Sequence, residues 1–224
     1  MPAELRPLLR LLSLRREPSP DPVLHRGTSG QIEIVATSTG IGVRRAARVT
    51  EQLLDSVPVD HLMVVGIAGG IGASVEIGTL VVPELVIDLA SGAEHRPALL
   101  GDFVQRGTLV TSDGLVVDPE TFARLDRRGV VAIDMETAAI AEVCARRGCP
   151  FSAFRAISDH ADDGSIDAAV FGLTRADGSP DLPAVARFLV TRPWRIPQLA
   201  RLARGLSRAT KVAAAAAVQS LQPV

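Results

Sequence analysis

The chain has 224 residues, enough to bury one hydrophobic core and close to the size at which a single core stops growing, so we expect one domain over residues 1–224. Its 24 basic and 25 acidic residues give a formal net charge of -1, which argues against nucleic acid as a partner and requires any anionic ligand to be held locally. Hydrophobic residues make up 47% of the chain but aromatic residues only 3%, which predicts an aliphatic core.

The cysteines and histidines do not form a metal-binding pattern. Cys144 and Cys149 lack CxxC spacing and the 4 histidines are scattered, so we expect no metal, no cofactor and two free thiols in a cytoplasmic protein. The most apolar stretch, residues 62–75, is interrupted by glycines and falls short of the roughly 20 residues that span a bilayer, and the N-terminal residues do not resemble a signal peptide. We therefore expect no integral membrane segment.

Hydrophobic periodicity predicts strands alternating with helices. Leucines at helical spacing near the start predict a first helix, and a proline-rich loop follows at residues 17–22. Strands are predicted at residues 32–38, 61–66, 80–89, 107–111, 130–133 and 150–158, and helices at residues 43–54, 119–127, 135–147, 184–190 and 198–218. This order predicts an α/β fold, a three-layer α/β/α sandwich around a central mixed sheet, with ligands at the carboxyl ends of strands.

A glycine-rich segment at residues 64–72, Val-Val-Gly-Ile-Ala-Gly-Gly-Ile-Gly, follows one of these strands. Glycines remove side chains, so that backbone amides can approach a ligand or an anion. The same glycines would also suit a tight crossover with close packing. Ala68 and Gly69 are the candidate substrate-binding positions in this segment.

Two further segments place polar groups where a strand ends. The strand at residues 130–133 leads into Asp134-Met135-Glu136 at a helix start, where acidic residues usually cap the helix, a role that would explain Asp134. The strand at residues 150–158 ends in Ser158 and Asp159, which would simply solvate a turn if they had no other role.

Together, over residues 32–162, these segments resemble the superfamily of nucleoside phosphorylases and 5′-methylthioadenosine/S-adenosylhomocysteine nucleosidases. The most specific feature is the pairing of Asp-Met-Glu with Arg-Ala-Ile-Ser-Asp. The resemblance implies a phosphorylase/nucleosidase-like fold and a homodimer. It also implies a purine nucleosidase that hydrolyses the N-glycosidic bond of an adenosine-type nucleoside with a substituent at the 5′ position.

The same resemblance assigns roles to residues. Glu136 would hydrogen-bond the ribose hydroxyls, Met135 would pack against the sugar, and Asp159, held by Ser158, would protonate purine N7. The chemistry fits, because breaking an N-glycosidic bond needs an acid at the leaving base and hydrogen bonds at a ribosyl group that becomes cationic. Asp159 must then be desolvated, since an unperturbed aspartate has a pKa of about 3.9.

The chain departs from the family pattern at three places. In the glycine-rich segment, Ile67 is apolar where relatives often have Ser, Thr or Cys, which removes a possible hydrogen bond to substrate or nucleophile. Leu115, beside Val116, stands where relatives usually offer an aromatic side chain to the base, which implies an altered base pocket. Relatives begin with a strand that leads into an acidic turn, whereas this chain begins with a predicted helix. Because residues 2–5 resemble the end of that turn, Glu4 is the candidate base that activates water.

Two alternatives within the family stay open. Phosphorolysis would need an arginine-rich anion site, for which Arg44 and Arg45 are candidates, although both would equally suit an exposed helix face. The C-terminal part, residues 175–218, is similar to hopanoid-associated members, which act on adenosylhopane. A basic amphipathic helix there would suit a lipid-linked substrate, or it would be a solvated helix that covers the sheet.

An alternative of another class is a dinucleotide-binding module. Residues 39–45, Thr-Gly-Ile-Gly-Val-Arg-Arg, follow a predicted strand and open a helix, as a GxGxxG motif does. Arg45 occupies the third glycine position, where close packing between helix and strand favours no side chain, so the nucleosidase interpretation is preferred.

Overall fold

The computed structural model describes residues 1–18, 22–72 and 75–222, so the predicted loop at residues 17–22 lies partly outside the described residues. The helices are α1 (Pro2–Leu11), α2 (Val43–Ser56), α3 (Pro119–Arg127), α4 (Thr137–Arg147), α5 (Ala168–Phe171), α6 (Leu182–Thr191) and α7 (Ile196–Gln219). A 3₁₀ turn, Pro193–Arg195, joins α6 to α7. The strands are β1 (Arg15–Arg16), β2 (His25–Ser29), β3 (Ile32–Ala36), β4 (Leu62–Gly70), β5 (Leu80–Val81), β6 (Leu85–Asp88), β7 (Glu94–His95), β8 (Thr108–Thr111), β9 (Val130–Asp134) and β10 (Phe151–His160).

The main sheet has seven strands in the order β5-β10-β4-β9-β8-β6-β7. The pairs β10/β4, β9/β8 and β8/β6 are parallel, whereas β5/β10, β4/β9 and β6/β7 are antiparallel. The predicted mixed sheet is therefore confirmed.

Helices cover both faces of this sheet. Successive residues of a strand point to opposite faces, and β10 shows this directly. Ala153 shares a buried cluster with Leu53 of α2 and Ile140 of α4, whereas Phe154 shares one with Leu8 of α1 and Ala217 of α7. The predicted three-layer sandwich and its aliphatic core are confirmed.

Two predicted strands are placed differently. Residues 32–36 do not enter the main sheet but pair with β2 in a separate antiparallel sheet. The sequence did not predict this pairing, because the β2 segment is polar and shows no strand periodicity. Residues 80–89 form two strands in place of one, since Pro83 has no backbone N–H for a sheet ladder. The first of these pairs with β10 and the second with β8, on opposite sides of the sheet centre.

Three element boundaries near the glycine-rich and acidic segments also differ from the prediction. Strand β4 continues through the glycines to Gly70, β10 continues to His160, and α4 begins at Thr137, two residues later than predicted. Strands β4 and β10 therefore extend further at their C-terminal ends than hydrophobicity alone indicated, and the polar residues there belong to the strands.

Candidate active site

A β-bulge at the end of β10 aims two adjacent side chains into one cavity. Ile157 pairs with Ala68 and Asp159 with Gly69, so Ser158 is an extra residue without a partner on β4. The bulge interrupts the alternation of the strand, and both Ser158 and Asp159 line the cavity. Helix α7 closes over this point at Gly205, where a Cβ atom would overlap the carbonyl oxygen of Ser158.

The cavity has a volume of about 340 Å³, which lies in the range of small-molecule sites. It opens where β4, β9 and β10 end, the place predicted for a ligand in an α/β sheet. The residues predicted to act on or bind substrate all line it: Glu4, Ala68, Gly69, Leu115, Val116, Asp134, Met135, Glu136, Ser158 and Asp159.

Arg155 connects the acidic residues of this cavity. Its side chain is 4% exposed, and its Nη2 lies 2.7 Å from Asp134 Oδ2 and 3.7 Å from Glu136 Oε2. Its Nη1 lies 3.6 Å from Glu4 Oε1. The sequence analysis did not assign a role to Arg155, although an arginine in the middle of an apolar strand is itself a signal, because a buried cation needs anionic partners.

Glu4 is held by the glycine-rich strand. The N–H of Ile67 donates to Glu4 Oε1 at 2.9 Å, and the N-terminal ammonium of Met1 contacts the other carboxylate oxygen. A Cβ atom at Gly66 would overlap both Glu4 Oε1 and Arg155 Nη1, so only glycine leaves room for this pair. The expected approach of a backbone amide to an anion is found, with the protein's own Glu4 as the anion.

Asp134 binds protein groups with both of its oxygens. Oδ1 accepts from the Thr111 hydroxyl at 2.6 Å and from the backbone N–H groups of Glu136 and Thr137 at 3.3 Å. Oδ2 accepts from the Thr137 hydroxyl and pairs with Arg155. This is the helix-capping role considered for Asp134, and it fixes the turn on which Glu136 stands.

Glu136 occupies the N-cap position of α4 but makes no capping hydrogen bond. Its Oε1 accepts instead from the N–H of Gly42 at 3.0 Å, on the loop before α2. Burial and the neighbouring charge of Asp134 raise the pKa of Glu136 to about 7, against the opposing effects of Arg155 and the Gly42 N–H. The folded protein therefore favours the protonated form of this carboxyl.

Asp159 is 9% exposed, and its Oδ1 accepts from the Ser158 hydroxyl, which also lies 3.4 Å from the carbonyl oxygen of Ala68. Burial raises the pKa of Asp159 above its ordinary value, although the hydrogen bond from Ser158 acts in the opposite direction. The desolvation that the sequence argument required for a carboxylic acid is present in the structure.

The arginines predicted to bind phosphate lie outside the cavity. Arg44 is exposed, and Arg45 Nε donates to the carbonyl oxygen of Thr39 at 3.0 Å and packs over Gly40. Neither of these two candidates lines the cavity. The same geometry argues against a dinucleotide site, because Arg45 fills the space beside Gly40 and the preceding strand β3 belongs to the separate antiparallel sheet.

The remaining wall of the cavity is apolar and comes from the C-terminal part of the chain. Phe122 and Phe171 also line the cavity, so aromatic side chains are available although Leu115 replaces the expected one. The other residues of this wall, which the sequence analysis missed, are Ile166, Val170, Leu202, Ala203 and Leu206. They were missed because short, loosely periodic segments such as α5 give little signal of what they face.

Among the described residues, no group of three or more His, Cys, Asp and Glu side chains is arranged to hold a metal ion. No helix within residues 1–18, 22–72 and 75–222 is both long and apolar enough to cross a bilayer.

The model of the phosphorylase superfamily matches residues 1–103 and 89–190 of this chain. The chain belongs to the phosphorylase superfamily. The matched ranges extend beyond residues 32–162, over which the resemblance was first seen, and include Glu4 and much of the apolar wall.

Relatives and solved structures agree with this assignment. A 5′-methylthioadenosine/S-adenosylhomocysteine nucleosidase of Geobacillus kaustophilus is 31% identical over 170 residues, 62% of this chain and 72% of the relative. One of Geobacillus thermodenitrificans is 31% identical over 183 residues, 67% of this chain and 77% of the relative. The predicted enzyme class, cleavage of N-glycosidic bonds, is confirmed by these relatives.

Two solved structures show the same fold. The nucleosidase of Neisseria meningitidis in complex with methylthio-immucillin-A superposes with a TM-score of 0.74 at 20% identity, covering 99% of this chain and 95% of that one. The futalosine hydrolase of Helicobacter pylori superposes with a TM-score of 0.73 at 17% identity, covering 99% and 94%.

Proposed function

We propose that this enzyme hydrolyses the N-glycosidic bond of an adenosine-type nucleoside that carries a substituent at the 5′ carbon. The observation that supports this most strongly is that Glu4, Glu136 and Asp159, which come from distant parts of the chain, line one cavity beside Arg155. Cleavage of such a bond needs an acid at the base, hydrogen-bond acceptors at the sugar and a positioned nucleophile.

Asp159 is the acid in this proposal. Its raised pKa keeps a larger fraction of the carboxyl protonated than in water, and Ser158 fixes its orientation. The proton passes to the purine as the glycosidic bond breaks, so that the base leaves without the negative charge it would otherwise carry.

Glu136 accepts hydrogen bonds from the ribose hydroxyls. Its Oε1 accepts from the Gly42 N–H and its Oε2 lies 3.7 Å from Arg155 Nη2, while the residue lines the cavity together with Met135, which packs against the sugar. As the ribosyl group becomes cationic, a negative Glu136 stabilises it more than it stabilises the ground state, which is the condition for a contribution to catalysis.

Water is the favoured nucleophile, with Glu4 as the residue that positions it. Within the described residues, the cavity lining contains carboxylates but no Lys, Arg or His side chain. The two cations beside these carboxylates, Arg155 and the N-terminal ammonium of Met1, are already paired with them. A phosphate anion placed there would meet like charges without a free cation, whereas neutral water would not. Hydrolysis also agrees with the names of the relatives.

The apolar wall supports a 5′ substituent that is itself apolar. Phe171, Leu202 and Leu206 offer hydrocarbon surface in place of hydrogen-bonding groups. A short alkylthio group, as in the substrate for which the relatives are named, is the first candidate. A bulky lipid, as in the adenosylhopane of hopanoid-associated members, is the second, and the same wall favours it.

The test is a panel of nucleosides with and without phosphate: adenosine, inosine, 5′-methylthioadenosine, S-adenosylhomocysteine and an adenosine with a long 5′ alkyl group. We expect free adenine and a free sugar from the 5′-substituted adenosines at rates that phosphate does not change. Formation of a sugar 1-phosphate would show phosphorolysis and refute hydrolysis. Absence of base release from every nucleoside would refute the proposal.

A further inference from the structure

An exposed apolar surface lies at the junction of α6 and α7. We call residues 182–204 the α6–α7 corner. Four of its large hydrophobic side chains face solvent: Leu182 is 68% exposed, Val190 81%, Trp194 72% and Ile196 46%. On α6, Leu182 and Val190 lie on the side opposite the buried Phe188, since the helical angle of about 100° per residue separates them from it. Val190, Trp194 and Ile196 fall within seven residues of the chain at the junction itself, and exposed hydrophobic side chains grouped in this way indicate a binding surface.

The same corner is strongly basic. From residue 182 to the end of the sequence there is no acidic residue, in a chain whose net charge is -1. Arg192 and Arg195 each lie 5.3 Å from the ring centre of Phe188, which holds the 3₁₀ turn against α6. Arg195 is neutralised by Asp167 at 2.8 Å. The basic residues of this stretch that form no ion pair with a described residue are Arg187, Arg192, Arg201, Arg204, Arg208 and Lys211.

We propose that the α6–α7 corner docks this enzyme onto an anionic lipid bilayer. Exposed aliphatic side chains with a tryptophan, bordered by arginines, form the pattern of proteins that lie in the membrane interface without crossing it. The hydrophobic side chains enter the boundary between headgroups and acyl chains, and the arginines pair with lipid phosphates. Arg201 and Arg204 lie about 8 and 12 Å along the helix axis from Ile196 and about 140° and 80° around it, so Arg204 is nearer to the side of α7 that carries Ile196.

A second copy of the chain is the competing occupant of this surface, and charge argues against it. A two-fold symmetric interface places the same patch on both subunits, so the unpaired arginines of one corner would face those of the other. Like charges opposed across an interface weaken association, whereas a bilayer with anionic headgroups offers the complementary charge.

Docking at this corner orients the cavity. Leu202 and Leu206, which line the apolar wall, lie on α7 about 9 and 15 Å along the helix axis from the exposed Ile196. The apolar wall is thereby brought close to the acyl chains. Docking itself is supported by exposure and charge. Only this orientation rests on the proposed function, since it would give the cavity access to a 5′ substituent dissolved in the bilayer.

Trp194 provides the measurement, because it is the sole tryptophan of the chain. The full chain is mixed with vesicles of pure phosphatidylcholine, or of phosphatidylcholine with phosphatidylglycerol, at low and at high salt. We expect a blue shift of Trp194 emission and co-sedimentation with the anionic vesicles only, and weaker binding at high salt. No binding to anionic vesicles would overturn the proposal. A blue shift that grows with protein concentration in the absence of lipid would overturn it in favour of a second copy.

Matched variants locate the surface. Arg187→Gln with Arg201→Gln is expected to weaken vesicle binding about 25-fold at low salt, since each basic residue near an anionic surface contributes about fivefold. The control is Arg127→Gln with Arg128→Gln, an exposed pair at the end of α3, which is expected to change nothing. Val190→Ser should weaken binding, whereas Val104→Ser, a change at a site equally exposed at 84%, should not. Equal losses in the corner and control variants would overturn the proposal.

Base release from a water-soluble nucleoside without vesicles separates this proposal from the proposed function. None of Val190, Arg187 and Arg201 lines the cavity, so the corner variants should hydrolyse a soluble nucleoside at the rate of the unchanged enzyme. Vesicle binding without base release would support docking and refute the nucleosidase. Base release without vesicle binding would support the nucleosidase and refute docking.

Discussion

Replacing Glu136 by glutamine should slow the enzyme strongly and yet stabilise its fold above neutral pH. Folding raises the pKa of this carboxyl from 4.5 to about 7 through burial and the charge of Asp134. The folded state therefore holds the proton more tightly than the unfolded state. Stability from this group is fully present below about pH 4.5, is lost as the pH rises through 7, and changes little above that.

The shift sets the size of the effect. A difference of about 2.5 pKa units at 1.36 kcal/mol per unit amounts to about 3 kcal/mol lost on ionisation of Glu136. A glutamine of the same shape cannot ionise, and its amide oxygen can still accept from the Gly42 N–H. The Glu136→Gln variant should therefore match the unchanged protein near pH 4 and exceed its free energy of unfolding by up to about 3 kcal/mol near pH 8.

Urea denaturation at several pH values between about 4 and 8 measures this difference. The control is Glu142→Gln on the same helix, where the side chain is 64% exposed and the difference should stay near zero. Base release should fall about 10- to 100-fold in Glu136→Gln, because a charged hydrogen bond to the ribose is lost. A variant that becomes less stable than the unchanged protein as the pH rises would refute the reasoning, since Arg155 would then favour the charged form.

The other predictions concern the remaining residues of the site. Asp159→Asn should lower kcat about 100- to 10,000-fold with the melting temperature preserved, whereas Asp163→Asn, an exposed neighbour, should not. Because Asp159 acts as an acid, kcat should fall as the pH rises through its raised pKa, and a rate that rises there instead would assign it the role of a base. Glu4→Gln should slow base release about 10- to 100-fold with or without phosphate, against an unaffected Glu84→Gln control. Gly66→Ala should displace Glu4 and cost about 1–3 kcal/mol of stability, and full activity in that variant would contradict the close approach of Glu4 to the strand.

The sequence was sufficient for the fold class because strands and helices alternate at recognisable periods. It was insufficient where a strand is polar or interrupted: β2 pairs with β3 through the backbone, although its residues, His-Arg-Gly-Thr-Ser, have no hydrophobic alternation. The break at Pro83 separates β5, at one edge of the main sheet, from β6, which lies between β8 and β7. Hydrophobic periodicity does not show where such a break falls or which strands then pair.

The site residues at strand ends were found because motif and position agreed. Arg155 was not, because its role depends on the three carboxylates that lie around it, which come from distant parts of the chain. Arg44 and Arg45 were misplaced for the opposite reason. The local sequence suggested a glycine loop at a helix N-terminus that could bind phosphate. In the structure the N–H of Gly42, at this helix start, donates to the carboxylate of Glu136.

The anions bound by the backbone N–H groups of this site are the protein's own carboxylates. The backbone N–H of Ile67 binds Glu4 and that of Gly42 binds Glu136, although glycine-rich segments of this kind often bind phosphate. One oxygen of each carboxylate is thus fixed by a backbone N–H, and the second oxygen of Glu4 contacts the Met1 ammonium. Burial and, after it, the neighbouring charge of Asp134 disfavour the charged form of Glu136, so ionisation of this carboxyl weakens the fold. A ribosyl cation is the species that this excess of negative charge would stabilise, so the same electrostatics that weaken the free enzyme favour the transition state of glycosidic cleavage.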